Sequence, residues 1–153
     1  MTETNDSFQD LSRRVGPLFS RVESDGLESL TEPERVLFSV WGAVGQIENG
    51  GFDQFFYNSS GSFAREAASG LEAIGAIEKA AVVKRALALF PDSLPPRDRD
   101  ERIAVLDSIS ETGDEDVFDS LNEEFYAIPE NVDALLAAYI ESHDGEIARV
   151  DPS

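Results

Sequence analysis

The sequence predicts an all-α protein, a single irregular bundle of about seven to eight helices, and three observations carry that reading. Apolar residues recur at helical spacing almost throughout the chain. No stretch alternates apolar and polar residues over more than a few positions, as a half-buried strand would. Helix punctuation is explicit: Thr31 followed by Glu34 forms a capping box, and glycine or proline closes several of the apolar runs. At 153 residues the chain can close one hydrophobic core but not two, so residues 1–153 are expected to form one domain.

The first helix carries Phe8, Leu11, Val15, Leu18, Phe19 and Val22 on one stripe, with a kink or break expected at Gly16-Pro17. The second starts at the capping box with Pro33 in its first turn and buries Val36, Leu37, Val40, Trp41, Val44 and Ile47. Asn49-Gly50-Gly51 is expected to end it, because glycine enters the left-handed region without a steric cost. A short helix from Phe52 to Tyr57 follows and stops at Asn58-Ser59-Ser60-Gly61. The next buries Phe63, Ala67, Leu71 and Ile74 before Gly75, and the one after it turns Ile77, Ala80, Val83 and Leu87 inward and ends at Phe90-Pro91. Residues 91–97 read as a loop too short to divide domains. Three further patterns follow, on Ile103, Leu106 and Ile109, on Val117, Phe118, Leu121 and Phe125, and on Val132, Leu135, Leu136, Tyr139 and Ile140; the end after Ala148 is expected to fray.

Charge is the dominant compositional feature, with 31 Asp and Glu against 12 Lys and Arg for a net of −19. It is unevenly placed. Residues 1–102 hold 17 acids and 11 bases, net −6, whereas residues 103–153 hold 14 acids and only Arg149, net −13. Such a surface repels nucleic acid and anionic membranes and attracts proteins rich in lysine and arginine, so no direct nucleic-acid or membrane binding is expected. The absence of cysteine, of an apolar leader and of any eighteen-residue apolar run makes the cytoplasm the expected location.

Most catalytic machinery lacks parts. His143 is the only histidine, so a two-histidine metal site cannot form within one chain, and in Glu141-Ser-His-Asp-Gly145 it reads as a solvated residue near a helix C-terminus rather than a general base. Asp114 and Asp116 begin a calcium-loop pattern, but Phe118 and Asp119 stand where the next ligand and the glycine belong. An anion cradle at Asn49-Gly50-Gly51 would face Glu48 and Asp53 with no basic residue before Arg65. A hydrolase with a carboxylate pair stays open, because so many acids give no discrimination. No cofactor and no metal are expected.

On the helix near Asp114 the 100° step puts Asp116, Asp119 and Glu123 opposite the buried face. Residues three or four apart on a helix lie about 5–6 Å apart, a spacing comparable to successive phosphates of a nucleic-acid strand. Glu124 flanks the row, Asp114 and Glu115 cap the helix start, and Glu130, Glu141 and Asp144 extend the field if the last helix packs alongside. Each like-charge pair destabilises a helix by about 0.2–0.5 kcal/mol, and folding alone does not ask for that. Solubility explains the sign of the charge but not its asymmetry. A salt-rich cytoplasm is the other explanation, and two lysines against ten arginines are in that style.

The run Glu48-Asn-Gly-Gly-Phe-Asp-Gln-Phe-Phe-Tyr-Asn-Ser-Ser-Gly61, followed by Ala73-Ile-Gly-Ala76, resembles the signature of the acidic DNA-mimic-protein family, a bacterial domain long catalogued as of unknown function. The resemblance covers residues 10–142, and its specific part is Asn49, Gly50, Gly51, Phe52, Asp53, Gln54, Phe55 and Phe56, with Asn58 and Gly61 beyond. It implies an all-helical fold without catalysis, whose acidic face imitates duplex DNA and occupies a basic DNA-binding protein such as a helix-turn-helix transcription regulator. Within the signature, Phe52, Phe55 and Phe56 read as core plugs and Asn49 and Asn58 as caps. An immunity-type inhibitor of a basic nuclease would use the same surface, and a homodimer is left open.

Overall fold

The computed structural model describes the backbone of residues 3–112 and 117–147 and the side chains of residues 11–109 and 118–147. Seven α-helices and no strand occur among the described residues: α1 (Glu3–Asp25), α2 (Glu32–Tyr57), α3 (Ala64–Ala73), α4 (Ile77–Leu87), α5 (Arg99–Thr112), α6 (Val117–Ala127) and α7 (Val132–Ser142), with short 3-10 turns between several of them. The all-α bundle expected from the sequence is thus the fold. α2 is its axis. α1, α3, α5, α6 and α7 all rest on α2, while α4 packs against α3 and α6, and α1 meets α7.

The start of α2 follows the sequence reading closely. The Thr31 hydroxyl accepts the Glu34 amide at 3.2 Å and the Glu34 carboxylate accepts the Thr31 amide at 2.9 Å, closing both halves of the capping box. Glu34 is buried, and Arg21 of α1 pairs with it at 3.0 Å, so the cap also ties α1 to α2. Along α2, Val36, Leu37, Val40, Val44 and Ile47 are buried as expected, and Trp41 is half-buried.

Of the two expected interruptions, only the second interrupts helical geometry. α1 runs through Pro17. Its buried residues Leu11, Val15 and Leu18 lie on one side while Arg13 and Pro17 are exposed, so the carbonyl that proline leaves without an amide partner faces water. Proline in a helix interior costs about 3 kcal/mol, and three buried side chains at about 1.5–3 kcal/mol each outweigh it. At Asn49-Gly50-Gly51 the interruption is present: Gly51 departs from helical geometry (φ 80°, ψ −175°), and a second helical stretch runs on in new alignment to Tyr57. Asn49 therefore sits exposed within a helix and is no cap. Asn58 does end α2, its amide donating to the Gln54 carbonyl, but its side chain donates to Gln46 Oε1 at 2.8 Å rather than capping the next turn. Ile77, expected inward, is 57% exposed because it begins α4 at the surface. Phe8 and the end after Ala148 lie outside the described side chains and residues.

One interior residue escaped the sequence reading. Arg102 is fully buried, with Nε donating to the Phe56 carbonyl (2.6 Å), Nη2 to Asn58 (2.8 Å), and Nη1 to Pro96, Arg97 and the Ser62 hydroxyl at 3.0–3.1 Å. It fastens α5 and the preceding loop to the end of α2. Burial pushes its pKa below the usual guanidinium value, neighbouring Arg99 adds to this, and Asp98 opposes it. Gly61 makes the room: a Cβ there would lie 2.6 Å from Arg102 Nε and 2.9 Å from the Phe55 and Phe56 carbonyls. The hint was Arg102's place in register with Leu106 and Ile109 on the inner side of α5.

Gly51→Ala is expected to lower stability by about 1–3 kcal/mol, from the backbone region it would have to occupy. Gly45→Ala, at an exposed site of α2 where an added Cβ would have no neighbour within 4 Å, is expected to raise it by roughly 0.5–1 kcal/mol; urea titration reads both. Arg102→Lys, which cannot serve carbonyls on several sides at once, should cost roughly 3 kcal/mol, the loss of two charge-assisted hydrogen bonds, and an unchanged urea midpoint would show that the guanidinium fork is dispensable.

Candidate partner-binding face

α6 is held in one rotation by its inner residues. Phe118, Leu121 and Phe125 are buried; Phe52 of α2 stacks on Phe118 (6.5 Å between centroids) and meets Phe125 edge-on (5.9 Å). The amide of Phe52, which has no helical acceptor after the departure at Gly51, donates to Asn122 Oδ1 at 2.9 Å. Tyr126 donates its hydroxyl proton to the Ile47 carbonyl at 2.5 Å. With these contacts inward, Asp119, Glu123 and Glu124 point to solvent.

The nine acids expected to form a partner-binding field fall into five groups. Asp114, Glu115 and Asp116 lie outside the described residues. Asp119 and Glu123, four residues apart on the exposed side of α6, form a short outward row. Glu124 is exposed but pairs with Arg85 of α4 at 2.5 Å, and Asp144 pairs with Arg14 of α1 at 2.9 Å. Glu130 serves the fold: its carboxylate accepts the Glu78 and Lys79 amides at 3.1 and 2.8 Å, capping the start of α4. Glu141 is exposed in the last turn of α7. Because α7 packs chiefly on α1 and α2 rather than on α6, Glu130, Glu141 and Asp144 do not continue the α6 row by lying alongside it.

α2 supplies an acid that sequence reasoning missed. Asp53 is exposed one residue beyond the Phe52 anchor, and its pKa is raised, first by partial burial and then by the charge of Asp119. Asp53 on α2 and Asp119 on α6 are thus near enough for their charges to act on each other. The available signal was its position in the signature, where the residue after an inward phenylalanine near a helix start must face outward. A second acidic pair lies between α2 and α7, where Glu48 and Asp133 line a cleft of about 190 Å³ with Trp41, Val44 and Leu136. Burial raises the Glu48 pKa, Lys79 lowers it and Asp133 raises it. Lys79 is buried, its ammonium 4.6 Å from the centre of the Phe125 ring. Glu48 is exposed and Asp133 half-buried, so this cleft lacks the two buried acids that a carboxylate-pair hydrolase would present.

His143, half-buried at the end of α7, stacks on Tyr139 at 4.2 Å, with Nδ1 2.9 Å from the Tyr139 carbonyl. Among the described residues no group of three or more His, Cys, Asp or Glu could hold a metal ion, and no helix is long and apolar enough to cross a membrane. Of the other signature residues, Phe52, Phe55 and Phe56 are fully buried, Gln46 Oε1 accepts from both Gln54 and Asn58 at 2.8 Å, and Asn49 and Gly50 are exposed.

No curated protein matches the chain, and no solved structure matches it. A family model, described as DMP19-like protein, matches residues 28–143. That span runs from the turn before α2 to the end of α7 and includes both the signature and the α6 row. The chain belongs to the DMP19-like protein family.

Proposed function

We propose that this protein makes and breaks no covalent bond, and that it binds the basic surface of a DNA-binding protein, such as a helix-turn-helix transcription regulator, in the place of DNA. The observation that carries the reading is the row Asp53, Asp119 and Glu123, which spans two helices whose relative placement is fixed by the Phe52 ring contacts and the Phe52–Asn122 hydrogen bond. A rigid array of carboxylates suits a groove-reading surface, because a partner shaped to grip phosphates needs the charges at fixed intervals. The charge asymmetry along the chain supports it: the acids of the last third have almost no bases of their own to neutralise them. An immunity-type inhibitor of a basic nuclease is the alternative that the same array would serve, and co-purification from the native cell separates the two by the partner recovered.

The binding test is titration of the protein with candidate basic regulators at low salt, with competing duplex DNA as a second arm. Asp53→Asn, Asp119→Asn and Glu123→Gln together are expected to weaken the complex roughly 10- to 100-fold, at about 0.5–1 kcal/mol for each exposed contact. Added salt should weaken the parent complex more than the neutralised one. Unchanged affinity in the neutralised protein would remove the array from the interface.

The same array predicts a pH effect. The Asp53 pKa is raised in the folded protein above its ordinary value of 3.8, so the folded state holds that proton more tightly than the unfolded chain. Its charge then opposes folding at neutral pH, and this opposition fades as pH falls through the raised pKa. Asp53→Asn should therefore raise the thermal midpoint at pH 7, and the gain should disappear below about pH 3.8; a gain that persists in acid would have another cause.

A further inference from the structure

A cleft of about 500 Å³ lies between α1, α2 and the 3-10 turn that follows α2, away from every acid of the proposed array. Its apolar wall is built from three phenylalanines in an edge-to-face chain, Phe19 to Phe38 at 4.7 Å and Phe38 to Phe63 at 4.9 Å. Phe19 is 44% exposed, which is unusual in a chain that otherwise buries most of its phenylalanines. The volume and the lining, mostly apolar with a few polar groups, are those of a small-molecule pocket.

The polar groups share one bias. Glu23 is the only charged residue in the lining, and among the described residues its carboxylate pairs with no cation. Ser39 and Ser60 spend their protons on the Arg35 and Phe55 carbonyls, at 2.7 and 3.3 Å, and so offer only lone pairs. Ser62 spends its proton on the Arg97 carbonyl, which leaves as donors the Ser59 hydroxyl and the amide nitrogen of Gln46, whose oxygen is already taken by Gln54 and Asn58. Phenyl faces, an unpaired carboxylate and hydroxyl lone pairs all favour positive charge on an apolar frame. An anion would meet Glu23 and the field of a chain with net charge −19.

We propose that this cleft binds a small organic ammonium ion, an alkyl- or arylammonium whose hydrocarbon lies against Phe19 and Phe63 and whose charge faces Glu23. The site is independent of the acidic row, and its occupancy does not require the DNA-mimic reading to hold. Gly42 forms part of the lining, and a Cβ there would lie in ordinary contact, 3.8 Å from Phe19 and 3.9 Å from Ser60. Alanine at 42 thus narrows the cleft while suiting the helix.

The test is an NMR titration of the full chain with benzyltrimethylammonium, with its neutral tert-butyl isostere and with benzoate. The cation is expected to bind best, shifting signals of Phe19, Gly42 and Phe63, with the neutral isostere weaker by roughly fivefold and benzoate not binding. Glu23→Gln should bring the cation down to the isostere's affinity, and Gly42→Ala should weaken both while leaving the thermal midpoint equal or higher. Equal binding of cation and isostere, binding unaffected by Glu23→Gln, or no binding of the cation would each overturn the proposal. So would signals of the cleft that shift with protein concentration alone, which would assign it to a second copy of the chain.

Discussion

The placement of α6 depends on one departure from helical geometry. At Gly51 the α2 backbone takes a conformation open in practice only to glycine, and the next amide, released from the helix, is taken up by Asn122 of α6. An unpaired buried amide would cost about 1–3 kcal/mol, so the bond to Asn122 makes the bend and the docking of α6 a single event. The rings of Phe52, Phe56, Phe118 and Phe125 then close around that junction. The carboxylates on the outside are placed by what happens underneath them.

Helix existence and, Ile77 apart, the inner residues of α2, α3 and α4 were legible in the sequence because they follow local rules: spacing, the Thr31–Glu34 box, and the proline after Phe90. The failures share a cause. Whether a glycine pair or a proline ends a helix depends on what the far side of the interruption can bury, and this is a tertiary matter. Pro17 is tolerated because Leu11, Val15 and Leu18 bury on the opposite side, and the direction the chain takes after Gly51 is held by Asn122, far along the chain, which accepts the Phe52 amide. Arg102 was missed for a similar reason, since all but one of its partners are backbone carbonyls, which carry no residue-specific mark.

The acidic face was legible in sign and partly in place. Asp119 and Glu123 face outward as the helical step requires, yet Glu130 turned inward to cap α4, and Glu124 and Asp144 met arginines from distant helices. The bases that relieve the C-terminal third come from α1 and α4, which a count along the chain cannot see. Asp53 joined the row only because α2 bends.

The tie of Arg102 to the carbonyls around Asn58 and Gly61 separates two kinds of residue that occupy adjacent stretches of the chain. Interior positions of this tie answer to geometry and tolerate little drift, whereas Asp53, Asp119 and Glu123 support nothing beneath them. Replacing an outward carboxylate therefore leaves the ties that hold the fold in place, whereas replacing Arg102 or Gly61 does not.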